Sequence, residues 1–202
     1  MRSTRARWGA ALLVMGVILL IGRKIWIEPD QGTSNPPIEL LRSALELRED
    51  GRLYAPGAEQ PFDGLLIENF TQEKRKLEIE IHAGQAHGTS RGWFEDGQIE
   101  VQETFVHGVS NGQRTRWYLN GNKRSEVAII AGVLEGNYLE WDQHGNQIVS
   151  MTLRNGQPDG LAEAWHPSGA IKSRTRFENG KQVEQQFFSD GESALNRVGS
   201  LL

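Results

Sequence analysis

The chain has 202 residues, 38% of them hydrophobic and 24% charged, the balance of a folded protein rather than of a disordered or collagen-like one. It contains no cysteine, which excludes disulfides, thiolate metal sites and lipidation at a cysteine. Residues 1–27 hold five of the 22 basic side chains and none of the 26 acidic ones, leaving 17 basic against 26 acidic in the remainder. That net charge of −9 argues against condensation on nucleic-acid phosphates.

From Trp8 to Gly22 there is no charged residue; Arg2, Arg5 and Arg7 precede the stretch, and Arg23 and Lys24 follow it. At about 1.5 Å of rise per residue the stretch spans a bilayer only if Arg23 and Lys24 snorkel while Ile25 to Ile27 enter the interface. The Leu20-Ile21-Gly22-Arg23-Lys24 run is a poor cleavage site. The expectation for 1–27 is therefore an uncleaved signal anchor, one transmembrane helix, with a cleaved signal peptide as the alternative. The basic leading flank predicts a cytoplasmic N-terminus and an exported body at the inner membrane, on the extracytoplasmic side.

Residues 28–37 (EPDQGTSNPP) are a Pro, Gly and polar tether. Residues 38–59 are expected to form an N-terminal cap: Ile38 to Leu47 fits a short helix or a lead-in strand, and Asp50-Gly51 before Leu53-Tyr54 signals a hairpin. Residues 192–202 remain as a tail.

Between these ends, over 60–191, one beat of 24 residues governs the chain. Tryptophan returns at Trp93, Trp117, Trp141 and Trp165, and three glycine columns keep the same register. The first is Gly84, Gly108, Gly132, Gly156 and Gly180; the second Gly64, Gly88, Gly112, Gly136 and Gly160; the third Gly97, Gly121, Gly145 and Gly169. Such a period means stacked copies of one supersecondary unit, each dependent on its neighbours for burial. Each copy reads as two strand-length runs around a turn triplet, as in Glu95-Asp96-Gly97 and Pro167-Ser168-Gly169. A three-residue hairpin loop favours glycine in its last, left-handed place. The fold class is all-β, a single-layer antiparallel β-meander solenoid of stacked hairpins. The copy at Gly64 is degenerate, with Asn69 in the tryptophan slot and Glu73 in the turn-glycine slot, and in the last copy Phe187 falls near the tryptophan slot.

Alternation along the second run makes Ile81, Phe105, Ile129, Leu153 and Phe177 a dry column. Sequence parity through an odd loop puts the tryptophans on that same face, with Phe94 and Tyr118 opposite and Glu78, Glu80 and Glu100 at wet positions.

A hairpin unit of the form G-x4-W-[FY]-x-[ND]-G resembles the bacterial variant of the MORN (membrane occupation and recognition nexus) repeat. Gly88 to Gly97 and Gly112 to Gly121 match it, whereas the copies at Gly136 and Gly160 carry Asp142 and His166 after the tryptophan. The segments Leu53 to Gly57 and Pro61 to Gly64 are similar to those that open such arrays. The resemblance implies the hairpin stack and a role as an interaction scaffold, often exported or membrane-attached; some members carry a toxin–antitoxin label.

No motif for catalysis, a cofactor or a metal stands out. His82, His87, His107, His144 and His166 occupy five different repeat positions, there is no G-x-S-x-G, and the polar column Asp63, His87, Asn111, Glu135 and Asp159 is explained by turn propensity. The functional expectation is a non-enzymatic, membrane-anchored scaffold that binds another protein of basic surface, with Phe94 and Tyr118 as candidate contacts and no nucleic acid. A carbohydrate- or peptidoglycan-contacting module using the tryptophan stripe, and an antitoxin-like binder of a partner protein, stay as alternatives.

Overall fold

In the computed structural model the described residues are 36–191, all within one compact unit. The expected anchor and most of the tether, and the tail 192–202, lie outside them. No helix among the described residues is long and apolar enough to cross a membrane.

The cap begins with β1 (Glu39–Leu41), a single 3-10 turn (Arg42–Ala44), β2 (Glu46–Leu47) and β3 (Leu53–Tyr54). Ile38 to Leu47 thus holds two short strands around a 3-10 turn rather than one α-helix, and β2 and β3 form the small hairpin signalled by Asp50-Gly51. The array continues as β4 (Gly64–Thr71), β5 (Lys74–His82), β6 (Gln85–Trp93), β7 (Ile99–Val106), the short β8 (Val109–Ser110), β9 (Gly112–Trp117), β10 (Lys123–Ile130), β11 (Val133–Trp141), β12 (Gln147–Arg154), β13 (Gln157–Trp165), β14 (Ile171–Glu178) and β15 (Lys181–Phe187). With β1 paired in parallel to β4, these make one 13-stranded sheet in which every other pairing is antiparallel.

Two kinds of turn alternate. At one end of the strands the loops have three residues and close as expected: Gly97 donates its N–H to Phe94, Phe94 donates to Gln98, and Gly97 takes φ +92°. At the other end two-residue turns join His82 to Gln85, Val106 to Val109, Ile130 to Val133, Arg154 to Gln157 and Glu178 to Lys181. Both central residues there have positive φ, from Ala83 at +47° to Asn179 at +51° followed by glycine, which is the primed turn that matches strand twist. The degenerate first hairpin departs, closing Thr71 on Lys74 around only two residues.

A cluster of buried side chains sits at the cap. Phe62, Leu66 and Ile81 are buried, with Leu40, Leu45, Leu53 and Ile79 against them, so β1 and β3 cover the first hairpins. Further along, Val127, Ile129 and Leu153 are buried on the face predicted to be dry.

Candidate functional site

The tryptophans do not share that dry face. Gly92, Arg116, Glu140 and Ala164 pair with Val101, Ser125, Val149 and Ser173, whereas the next residues, the tryptophans, pair with Ile99, Lys123, Gln147 and Ile171. One residue of each second strand, Glu100, Arg124, Ile148 or Lys172, is therefore skipped as a β-bulge. Directly opposed residues share a face and neighbours along a regular strand alternate. Gly92, Arg116, Glu140 and Ala164 thus belong with Val127 and Ile129, and Trp93, Trp117, Trp141 and Trp165 point to the other side. The parity expectation fails because it counted through the bulge as though it were regular strand.

On their face the four rings are half-buried, with the Lys123 ammonium 5.3 Å from the centre of the Trp141 ring. In the last unit the slot is filled by buried Phe188, beneath Arg174, rather than by Phe187, which pairs with Ser173 and is 61% exposed. Phe94 and Tyr118 are half-buried as well, so they are no freer than the tryptophans. The Tyr118 hydroxyl donates to the Trp141 carbonyl at 2.9 Å, tying adjacent hairpins.

The polar column has a definite task. Asp63, His87, Asn111, Glu135 and Asp159 each accept the backbone N–H of the first turn residue 20 positions later: Ala83, His107, Ala131, Asn155 and Asn179, at 2.9 to 3.5 Å. The glycines next in each turn, from Gly84 to Gly180, donate to the carbonyls of Phe62, Ala86, Ser110, Leu134 and Pro158. Each of these five turns is docked onto the residues that enter the preceding hairpin, and the column satisfies donors that a positive-φ turn otherwise leaves to water.

His87 is the histidine of that column, and it stands beside two others: His82 and His87 centroids are 5.9 Å apart, His87 and His107 5.0 Å. Column counting missed this row because its members come from a strand end, a strand start and a turn. Accepting from His107 requires an unprotonated Nδ1 on His87. His87→Asn keeps an acceptor, as Asn111 does in the next unit, whereas His87→Ala is expected to raise hydrogen exchange at the His107 amide selectively; unchanged exchange would deny the clamp. Among the described residues no group of three or more His, Asp or Glu side chains is placed to hold a metal ion.

Two depressions carry charge. One, about 530 Å³, lies between β1 and β4, where Glu68 meets Arg42 at 3.0 Å and Lys76 at 3.4 Å; the Arg42 hydrogen bond holds its carboxyl below the usual range. The other, about 180 Å³, is lined by Glu100, Val101, Arg116, Trp117 and Arg124. Beside the second, Tyr138 donates its hydroxyl to Glu140; burial first and Glu140 second raise its pKa, against the opposing pull of Arg124 and Arg116.

Residues 86–107, spanning β6, its loop, β7 and the first residue of the turn, match the family described as MORN repeat variant. This supports a MORN-repeat protein, and the unit it matches is the one the sheet repeats. No curated protein matches the chain.

Proposed function

We propose that this chain is a non-enzymatic interaction scaffold whose hairpin array binds another protein, held at the outer face of a bacterial inner membrane by its N-terminal segment. The observation that carries the proposal is a row of exposed aliphatic side chains on successive two-residue turns. Val106, Val109, Ile130 and Val133 are 41 to 60% exposed, and by alternation they belong to the tryptophan face. The row is continuous, since a methyl placed on Gly132 would meet Val109 at 3.4 Å. Contiguous exposed apolar side chains, on the same face as the half-buried indoles but at the other end of the strands, make a surface that gains by being covered.

The charge expectation narrows. Glu78 is bridged by Arg75 and Arg91, and Glu80 accepts the Thr89 N–H, so neither offers a free carboxylate. Glu95, Asp96 and Glu100, around the loop after β6, are exposed and in no ion pair among the described residues, and they are the acids a basic partner surface would meet. A carbohydrate contact stays as the second reading, favoured by the half-burial of all four rings, which leaves indole surface open.

A photo-crosslinking residue at Val109 or at Ile130 of the full-length protein in its native membrane is expected to capture one and the same protein. Val109→Glu with Ile130→Glu should abolish capture while leaving the thermal transition in place. Adducts only to glycan, or capture indifferent to both changes, would remove the proposal.

A further inference from the structure

Eleven arginines lie among residues 36–191, and eight of them are in ion pairs. The remaining three are Arg52, which sits beside Asp50, and Arg116 and Arg124. The last two line one cleft, on neighbouring strands: Arg116 is opposite Ser125 in the ladder, and Arg124 is the bulge residue next to it. Two like charges at adjacent strand positions repel one another, and in a body with an excess of nine acidic charges a compensating carboxylate would have been an easy substitution. The contrast on the same strand and face is Arg114, which meets Glu103 at 2.7 Å.

What surrounds the pair suits an oxyanion. The Arg124 guanidinium lies over the Tyr118 ring at 5.7 Å, which orients its plane without using its N–H donors on a carboxylate. Val101, on the same face as Arg116, and the edge of Trp117 complete the lining and supply its apolar part. Glu100 also lines the cleft and pairs with neither arginine, so the cleft has an acidic member next to two cations.

We propose that Arg116 and Arg124 form a carboxylate-binding cleft that receives an aspartate or glutamate side chain of the partner protein. The cleft's chemistry stands on the two guanidiniums; the assignment of the carboxylate to a protein rests on the scaffold function proposed above. The acidic member Glu100, with Glu95 and Asp96 nearby, disfavours polyanions and suits a single carboxylate set among basic residues. Paired guanidinium donors recognise the planar, two-oxygen shape of a carboxylate.

The test uses the full chain with labelled arginine side chains, titrated with N-acetyl-glutamate methylamide as the model of a glutamate side chain. The Nε–H signals of Arg116 and Arg124 should shift saturably together, at least about fivefold tighter than Arg52, which serves as the internal reference. Arg116→Gln should abolish saturation at Arg124 while leaving thermal stability equal or higher, because repulsion is relieved; a residue with a merely structural role would lower it. Inorganic phosphate and glucuronate form the other arms. Parallel, unsaturated shifts at all three arginines would overturn the cleft. Glucuronate binding tighter than the glutamate model would move its ligand from protein to acidic sugar. If crosslinked capture at Val109 persists in Arg116→Gln with Arg124→Gln at wild-type yield, the scaffold function stands and the cleft's part in it falls.

Discussion

Replacing Ile129 by alanine is expected to cost about 2–5 kcal/mol, the range for removing a large aliphatic side chain from a packed site. Ile129 is 2% exposed and is held between Gly112 on one neighbouring strand and Leu134 on the other. Gly112, opposite on one side, has no side chain to move into the volume it leaves. Trp117→Ala removes a larger group from a half-covered site, so a smaller loss is expected in spite of the ring's size. Denaturant unfolding of both variants measures the order. A tryptophan loss exceeding that of Ile129 would show that the indoles, rather than the aliphatic column, carry the array.

The second large effect belongs to Gly84→Ala. Gly84 and Gly108 occupy the same turn position with φ of +76° and +80°, so any side chain is strained at both by about 1–2 kcal/mol. Their surroundings differ. A methyl on Gly84 would stand 2.8 Å from the Leu53 carbonyl oxygen and from the Arg52 side chain, while one on Gly108 meets nothing within 4 Å. The Leu53 N–H also donates to the Gly84 carbonyl, so the cap cannot back away without losing that bond. Gly84→Ala should therefore exceed Gly108→Ala by a further 1–3 kcal/mol or so, the usual cost of overpacking. Equal melting shifts for the two would mean that β3 is not pressed onto the first turn.

These pairs show what a sequence discloses in a repeat protein and what it withholds. The glycine columns and turn triplets announce the hairpins because positive φ selects residue type, and the three-residue loops close around Gly97 and its equivalents as that chemistry requires. The bulge left no such mark. Glu100, Arg124, Ile148 and Lys172 share nothing but their place, so alternation counted across them put the tryptophans on the wrong face. The same shift hid Phe188 behind Phe187. The polar column was visible, but its purpose depends on contacts 20 residues away that no local pattern encodes. The arginine cleft was harder still, since an unpaired charge is recognised only once every other pairing is known.

The docking of turns runs in one direction. Each is held by residues that precede it, His107 by His87 and Asn179 by Asp159, and none of these clamps reaches forward. Removing hairpins from the C-terminal end therefore leaves every surviving clamp intact, while a cut that takes Asp63 along with β4 strips the Ala83 turn of its acceptor and a cut past His87 does the same to His107. An array wired in this way tolerates shortening from its far end better than from its origin.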